Sequence, residues 1–546
     1  MTNAPATQAD IRQLSVQRFP ALVDQYGRNY AASSTHQLLQ RFADTPYKAA
    51  SNIRRAGALW NVWGGSANSD YVPSMETLRA RSRACVRNNL AAAGAIQTLV
   101  DNVIGQGLRV RPTVDRTFLG LSEEQSDDLK RAMSREMYTW GHSEECDLEA
   151  LNNFVGLQQL AFRSAMESGD CLTLLPFFSR GLTPYRTRVQ LVESDRVSNP
   201  PRIPINVRSL IAGVELDANG APAFYHVQST HPGDANFQLG MSAPYWDRVR
   251  AWSADRSRRN AWLVYRTLRI GQSRGVPYLA TALEPLKQLE RYGDAELMAA
   301  VVGGMFTVFV KSGTGEGGVP VAAMPFEDNT GNLVSGKTAS DLYLDYGLIA
   351  DLGQDESIEV ANPGRPNRAY GEFVRSIMEQ IGSGLGIPFE LLIKHFTSSY
   401  SASRGALLEA WKFFDYMRDW FVKNFCQPIY ETIMAEAVAL GRLNLPGFFE
   451  SYDIRKAYLK AEWIGPTMGL MNPVQEVEAA QMRVNMEIST LDRETMQLTG
   501  QDWYEIHAQR KREITLQQQD GTGKQPDTAQ QQANFQKPPQ PSPLDF

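Results

Sequence analysis

The sequence predicts an α+β protein, with helices followed by a mostly antiparallel sheet in its first half and mainly helices in its second. Two patterns indicate this class: apolar residues recur at helical spacing in several long stretches, and short strand-like runs cluster between residues 171 and 266. The composition, with 43% hydrophobic and 21% charged residues, is that of a globular chain. A chain of 546 residues has room for about two to four structural units.

In the first half, residues 1–57 are predicted to be a partly ordered, locally basic arm. Helices are expected at 73–105, 123–142 and 154–169, where apolar residues repeat at helical spacing. Strand patterns follow in CLTLLPFF, RVQLVES and AWLVYR. The stretch GVELDANGAPAFYHVQ predicts a hairpin that turns at Asn219-Gly220.

In the second half, helices are predicted at 276–303, 367–382 and 403–440. Between the first two, residues 305–362 show short strands and Gly-rich turns and carry nine acidic residues but only two lysines. Pro428 lies inside the third helix and should kink it. A last helical unit runs from 473 to 517, and the Gln/Pro-rich segment after it is expected to be disordered.

The helix predicted at 403–440 is unusually aromatic. At 3.6 residues per turn its rings point in several directions, so nearly every face is apolar and the helix must be buried all round. We expect this burial inside a core or between subunits, which suggests an oligomer. The aromatic residues are Trp411, Phe413, Phe414, Tyr416, Trp420, Phe421 and Phe425.

Composition argues against several classes of function. A net charge of −5 is not that of a tight, non-specific DNA binder. No signal-peptide pattern is visible at the N-terminus, and the most apolar run, from Val301, is about half the length of a membrane helix, so no membrane partner is expected. The four cysteines lie far apart and the six histidines are scattered, so no metal, disulfide framework or cofactor is predicted.

The segment 271–275 matches the G-x-S-x-G pattern of serine hydrolases, in which a strand-to-helix turn exposes a nucleophilic serine. An alternative function is therefore hydrolysis by Ser273, with a distant Asp and His395. The alternating βα units of that fold are missing around the segment, and no oxyanion-hole sequence precedes it. A structural turn is the better interpretation, and no catalytic residue is predicted.

Eight arginines fall within 27 positions, from Arg248 to Arg274, with few acidic residues among them. Such a cluster can contact phosphate or the acidic surface of a neighbouring subunit. The alternative is a solvated surface of twisted strands. The residues that we single out as contact candidates are Arg256, Arg258, Arg259, Arg269, Gln272 and Arg274.

The stretch 391–402 combines hydroxyl groups with a cation and an imidazole. A reactive site would need a fixed nucleophile, a base within reach and a third orienting group, and no carboxylate follows before Glu409. Small polar residues suit a mobile loop instead. The candidate residues of this loop are Lys394, His395, Thr397, Ser398, Ser399, Tyr400 and Ser401.

Five segments, taken in order, resemble the lambda-type bacteriophage portal proteins, which are head–tail connector rings. LVESDRVSNP and GVELDANGAPAFYHV look like wing segments, and RIGQSRGVPYLATALEPLKQLERYGDAELMAA is similar to the Gly-Gln-x-Arg-Gly segment that leads into the stem helix. In that segment the resemblance emphasises Gln272 and Arg274 and gives the middle serine no chemical role. IGSGLGIPFELL resembles the tunnel-loop region, and the segment from Glu462 to Ile506 resembles the C-terminal signature. Asn472 and Met486-Glu487 depart from the pattern.

The resemblance covers roughly 58–517 and implies a ring of about twelve subunits around a channel for double-stranded DNA. Its regions would be wing at 58–275, stem helix at 276–304, clip at 305–362, returning stem helix at 363–390, tunnel loop at 391–402, spine helix at 403–441 and crown at 442–517, with a disordered tail at 518–546.

The implied partners are further copies of the chain, the terminase large subunit, head-completion or tail adaptor proteins, and a scaffold or major capsid protein. The implied location is the portal vertex of the virion, after assembly in the host cytoplasm. Acidic residues of the clip would face partners, and those singled out are Glu327, Asp328, Asp341, Asp345 and Asp351.

Overall fold

The computed structural model describes residues 64–202, 209–234, 244–304, 308–312, 326–327, 333–334, 356–360, 369–396, 399–469 and 472–520. All helices and strands given below belong to the compact unit that begins at Ala67. They are of both kinds, and every strand ladder among them is antiparallel. The predicted α+β class is therefore confirmed, whereas the predicted arm 1–57 lies outside the described residues.

The predicted helix at 73–105 is two helices, because Asn89 interrupts it. Its backbone is extended (ψ 119°), and its side-chain oxygen accepts hydrogen bonds from the backbone N–H groups of Ala91 and Ala92. An asparagine that caps a new helix in this way ends the preceding one. The elements of this part are α1 (Ala67–Tyr71), α2 (Met75–Asn88), α3 (Leu90–Val103), β1 (Arg109–Pro112), α4 (Arg116–Leu119), α5 (Glu123–Gly141) and α6 (Phe154–Ser168).

Two antiparallel sheets follow, and the predicted strands and hairpin are confirmed. One sheet has the order β3-β2-β8 and the other β4-β5-β6-β7. Leu172 and Leu263 of the first sheet share a hydrophobic cluster with Val214 and Tyr225 of the second. The strands are β2 (Asp170–Leu174), β3 (Gln190–Glu193), β4 (Leu210–Ile211), β5 (Val214–Leu216), β6 (Pro222–Gln228), β7 (Trp246–Arg250) and β8 (Ala261–Tyr265).

The next helix, α7 (Leu283–Gly304), begins later than the predicted residue 276. Pro277 cannot donate a backbone hydrogen bond, and the N–H of Tyr278 donates to the Met166 carbonyl of α6 at 2.8 Å. The Tyr278 hydroxyl also donates to the Leu385 carbonyl. These contacts hold 276–282 as turns against neighbouring helices, so the helix starts after them.

The acidic insert contains short strands, as predicted. β9 (Val308–Ser312) pairs with β12 (Glu356–Val360), and β10 (Phe326–Glu327) pairs with β11 (Leu333–Val334). Glu327 lies on β10. The other four acidic candidates of this segment lie outside the described residues: Asp328, Asp341, Asp345 and Asp351.

The helices after the insert are α8 (Tyr370–Leu385), α9 (Phe389–Leu392), α10 (Tyr400–Phe421) and α11 (Gln427–Ala439), with a π-helical turn at Val422–Cys426 between the last two. The predicted irregularity near Pro428 is this turn. Pro428 has no N–H to donate to the carbonyl of Asn424, and that carbonyl accepts a hydrogen bond from Trp262 Nε1 at 2.7 Å instead. The proline thus frees an acceptor that ties the long helix to β8.

The aromatic helix is buried, but largely by its own chain. Phe414, Phe421 and Phe425 belong to one core cluster with Ile96 of α3 and Phe162 of α6. Trp411, Phe413 and Trp420 pack against that cluster, whereas Tyr416 is exposed. The expectation that every face is covered is therefore wrong at Tyr416, and the burial of this helix does not require another subunit.

The C-terminal part was predicted to be helical, but it also contains a strand. β13 (Ala461–Ile464) pairs with β1 of the first helical part. This pairing joins the segment after residue 442 to the N-terminal helical part through backbone hydrogen bonds. The elements are α12 (Tyr452–Leu459), β13, α13 (Pro473–Asn485), α14 (Leu491–Thr499) and α15 (Trp503–Gln519). Since α15 extends to Gln519, the predicted tail at 518 begins too early, and 521–546 lie outside the described residues.

Candidate functional site

The Gly-Gln-Ser-Arg-Gly segment is organised around a buried carboxylate that sequence reasoning did not find. Asp170, the first residue of β2, accepts hydrogen bonds from Arg274 Nε at 2.7 Å and Nη2 at 3.0 Å. It also accepts from Arg79 Nη2 of α2 at 3.1 Å and from the Gly275 N–H at 2.9 Å. One carboxylate therefore joins α2, β2 and the 271–275 segment.

Every N–H group of the Arg274 guanidinium donates a hydrogen bond. Besides the two bonds to Asp170, Nη1 donates to the carbonyls of Val197 and Ala212, and Nη2 donates to that of Ser194. All five N–H donors of the side chain are thus used. The side chain is 0% exposed, so Arg274 cannot contact DNA or another subunit without opening the fold.

The charges of this cluster, defined by Arg79, Asp170 and Arg274, perturb one another. Burial by itself would raise the pKa of Asp170, but the two guanidinium groups and their hydrogen bonds hold that pKa well below its ordinary value. Burial lowers the pKa of Arg79 below its usual value, against the opposing effect of Asp170. The carboxylate is therefore ionised whenever the chain is folded at neutral pH.

Two glycines allow the backbone to approach this cluster. A Cβ on Gly275 would lie 1.9 Å from the Gly169 carbonyl oxygen, and a Cβ on Gly169 would lie 2.4 Å from the Gly275 carbonyl oxygen. Gly169 also has φ +94°, which L side chains rarely adopt. Packing therefore requires glycine at both positions, at Gly275 in the 271–275 segment and at Gly169 just before Asp170.

Gln272 shapes the turn before Arg274. Its side chain is nearly buried, and Oε1 accepts from the N–H groups of Leu268 and Arg269 at 2.8 and 3.2 Å. Its Nε2 donates to the Arg274 carbonyl at 2.7 Å. By forming hydrogen bonds with backbone groups before and after it, this side chain holds the turn in place where no helix or strand pairs those groups. Gln272 is thus a positioning residue of the fold, not a free contact for DNA.

Ser273 sits in the same turn and lacks the environment of a nucleophile. Its Oγ accepts a hydrogen bond from Asn68 Nδ2 at 3.2 Å, and Asn68 Oδ1 accepts the Ser273 N–H at 2.9 Å. An amide cannot take a proton as a general base. The antiparallel ladders of the described strands also exclude the parallel sheet of an α/β-hydrolase around this turn.

The other arginine candidates separate into two groups. Arg258 donates to the Leu175 carbonyl at 3.0 Å, and Arg259 lies over the Trp252 ring at 4.7 Å, so both are held within the sheets. Arg256 pairs with Asp217 at 3.2 Å, and Arg269 pairs with Asp70 at 2.6 Å. The side chains of Arg256 and Arg269 are 69% and 54% exposed, so these two candidates can be reached by solvent and by a partner.

The candidate loop at 391–402 begins after α9. Lys394 has a left-handed backbone (φ +54°), and the His395 N–H donates to the Glu390 carbonyl at 3.0 Å. Both side chains are exposed, and Lys394 makes no ion pair with any described residue. Phe396 is also exposed beside them. Thr397 and Ser398 lie outside the described residues.

The predicted loop is shorter than expected, because α10 begins at Tyr400 and not at residue 403. Ser399 is its N-cap, and its Oγ accepts the Ala402 N–H at 3.5 Å. A serine followed by helix-compatible residues is a strong start signal. Tyr400 and Ser401 therefore form the first turn of α10, and Ser399 has a structural role there.

The paired helices α7 and α8 carry an exposed apolar surface. Tyr292 of α7 stacks on Tyr370 and meets Phe373 edge-on, with ring centroids 5.4 and 5.1 Å apart. Beyond this contact, Leu297 is 65% exposed and Met298 is 62% exposed. Leu279 and Leu286, which precede or begin this helix, are buried instead.

Neither a metal site nor a membrane span is found in the described part of the chain. No group of three or more His, Cys, Asp or Glu side chains there could hold a metal ion. All four cysteines are free, and burial raises the pKa of Cys146 and Cys171 to about 12. No described helix is long and apolar enough to cross a membrane.

Comparison with known proteins identifies the family. The family described as phage portal protein, lambda family, matches residues 54–418, which is more than half of the chain. The portal protein of Escherichia phage N15 is 25% identical over 473 residues, covering 83% of this chain and 87% of its own. Portal protein B of Escherichia phage lambda is 24% identical, covering 83% and 86%.

Among solved structures, a chain from the virion of a native gene transfer agent particle is similar with a TM-score of 0.41. It is 11% identical, and the match covers 80% of this chain and 94% of that one. A chain from the neck of an empty particle of the same kind has the same TM-score and 12% identity. On the sequence match, the chain belongs to the lambda family of phage portal proteins, which are non-enzymatic virion components connecting head and tail.

Proposed function

We propose that this chain forms a closed ring of about twelve copies at one capsid vertex, through which double-stranded DNA is packaged and ejected. Membership of the portal family is the observation that carries the proposal. The regions expected from the sequence keep their assignment here: wing, stem helices α7 and α8, clip, tunnel loop, spine helix and crown. The stem helices then lie between adjacent copies or along the channel.

The exposed apolar surface of α7 supports an oligomer. Leu297, Met298 and Val301 are exposed on α7, whereas the equally long α10 packs most of its aromatic residues into the core. Contiguous exposed apolar residues mark interaction surfaces in soluble proteins. In a ring, the same surface of every copy would be covered by its neighbour.

The ring is tested by negative-stain imaging and mass measurement of the purified full-length chain. Rings with a central hole are expected, and Leu297→Asp should shift the protein to smaller species because it places a charge in the covered surface. Leu151→Asp is the matched control, since Leu151 is 71% exposed but outside the stem helices. Compact monomers at every protein concentration, or intact rings with Leu297→Asp, would contradict the assignment.

The loop between α9 and α10 is proposed to line the channel and to contact DNA without chemistry. Lys394 and His395 are exposed there, and Tyr400 follows at the start of α10. A net charge of −5 per copy gives about −60 for twelve copies, so the ring as a whole repels phosphate and DNA can slide. A few solvated cations then make transient contacts too weak to trap the duplex.

This role of the loop is tested by Lys394→Asn together with His395→Ser. Asparagine tolerates the left-handed backbone of residue 394 and removes the charge. The rings, and their docking to the terminase large subunit (the packaging motor), should be retained, while the amount of DNA kept in filled heads falls. Lys412→Ala is the control, because Lys412 is already paired with Glu409 at 2.9 Å. Wild-type retention of DNA in the double variant would refute the role.

The acidic insert at 305–362 is proposed to face the terminase large subunit first and head-completion or tail adaptor proteins later. Its nine acidic residues against two lysines would attract a basic partner surface, mainly by raising the association rate. Reversal of Glu327, Asp341 and Asp345 to lysine should weaken motor docking and leave the ring intact. Unchanged docking of the motor at low salt would exclude this surface. A scaffold or major capsid protein is a further proposed partner of the ring.

A further inference from the structure

The three C-terminal helices have almost no core of their own. α15 buries none of its residues, α13 buries only Ala480, and α14 buries only Glu494. Helices of this length depend on tertiary packing, since they are marginal alone in water. Their exposed faces are therefore available to a second surface.

Strand β1 nevertheless holds the starts of α14 and α15. Arg111 of β1 donates from Nη2 to Asp492 at 2.8 Å and lies 3.2 Å from Asp502 through Nε. Asp502 is the N-cap of α15, and Asp492 lies in the first turn of α14. A partly buried arginine that joins two helix starts to a strand pre-organises them for binding.

The outer face of α13 presents an apolar stripe with one acidic residue. Val474, Glu478 and Met482 are four residues apart, so they lie on the same side of the helix. Val474 is 67% exposed, Met482 is 62% exposed, and Glu478 is also exposed. Met486 follows at the same spacing just after the helix.

One face of α15 presents exposed apolar residues with one basic residue, and it begins at Tyr504, whose ring lies 5.8 Å from the Arg111 guanidinium. Tyr504, Lys511 and Ile514 follow helical spacing, and exposed Ala508 lies between the first two. Tyr504 is 57% exposed. Each stripe thus combines exposed apolar residues with one charged residue, and the two charges are opposite.

The two charges are unpaired in the described part of the chain. Neither Glu478 nor Lys511 makes an ion pair with a described residue, whereas Arg483 pairs with Glu494, and Arg510 pairs with Glu513. Interfaces in a ring join two different surfaces, one from each neighbour, which must be complementary in shape and charge. The stripe on α13 with its acidic residue and the stripe on α15 with its basic residue are complementary in charge.

We infer that the stripe on α13 of one copy packs against the stripe on α15 of the adjacent copy, with Glu478 paired to Lys511 across the interface. The partner is a second copy of this chain, and the inference rests on the ring proposed above. The apolar residues on either side exclude water from the charge pair, which strengthens it relative to an exposed pair.

Charge exchange tests this interface. Glu478→Lys and Lys511→Glu should each weaken association of adjacent copies at least about tenfold, because each places like charges together. The double exchange should restore association, as measured by mass photometry over a dilution series. Glu124→Lys, which reverses an exposed carboxylate on α5, is the control and should assemble like the unsubstituted chain.

Cross-linking provides a second readout that does not depend on assembly strength. Glu478→Cys combined with Lys511→Cys should give a ladder of multimers with a short bismaleimide, whereas Glu478→Cys combined with Arg493→Cys should not. Monomers with an internal cross-link, or single reversals as stable as the unsubstituted ring, would overturn the interface alone. Absence of rings from the unsubstituted chain would overturn both this inference and the proposed function.

Discussion

Asp170→Asn is the substitution that most directly tests the buried cluster. It keeps the shape of the side chain but removes the charge that compensates Arg79 and Arg274, whose side chains are 1% and 0% exposed. Two cations would then be buried without a counter-charge. Removing one partner of a buried ion pair costs about 3–5 kcal/mol, because the remaining charge stays desolvated. We expect a loss of this size in the free energy of unfolding.

The measurement is urea unfolding of the full-length chain at one fixed protein concentration, so that assembly affects all variants equally. Asp70→Asn is the matched control, because it breaks the Arg269 pair at 2.6 Å, where both side chains are about half exposed. An exposed pair contributes less than about 1 kcal/mol. If Asp170→Asn destabilises the protein no more than Asp70→Asn does, the cluster does not hold the fold as argued.

Two further outcomes follow from the same segment. Gly275→Ala should destabilise the protein by about 3 kcal/mol, because the new Cβ would lie 1.9 Å from a backbone oxygen. Gly271→Ala should cost only about 1 kcal/mol, because the space around residue 271 is open and only its backbone angle (φ +79°) is unfavourable. Thermal unfolding of the two variants measures this difference. Ser273→Ala should change stability by less than about 1 kcal/mol and leave the yield of infectious particles unchanged, because no bond-making step uses its hydroxyl. A ring that assembles but fails to package DNA in Ser273→Ala would contradict this.

Local patterns predicted much of the fold. The helix α5, the hairpin of β5 and β6 and the strand β8 follow from periodicity and turn residues that lie within a few positions of one another. Errors came where a single side chain decided a boundary. Asn89 divides one predicted helix, and Ser399 starts α10 three residues early by capping it.

The buried cluster could not be predicted from spacing, because Asp170 and Arg274 are separated by 104 residues. Arg274 is one member of the arginine cluster that was expected to contact phosphate or a neighbouring subunit, and charge and spacing alone do not separate it from Arg256. The family resemblance pointed to Gln272 and Arg274, but only the structure shows that they act on the fold. The one usable signal was Gly169 before Asp170, since a glycine beside a buried carboxylate indicates close approach of another backbone.

The same carboxylate gives a pH dependence whose sign can be worked out. Arg274 and Arg79 lower the pKa of Asp170 in the folded state despite its burial, so its contribution to stability is complete above the unfolded pKa of about 3.9 and is lost as the pH falls toward the folded value. The difference in unfolding free energy between the unsubstituted chain and Asp170→Asn should therefore stay constant from pH 7 to pH 5. This difference should shrink by about 1 kcal/mol between pH 4 and pH 3, because the Asp170 carboxylate takes up a proton on unfolding and the amide of the Asp170→Asn variant does not. Urea unfolding at each pH measures this difference, and a difference that already shrinks near pH 6 would mean that the two arginines do not hold the carboxylate ionised.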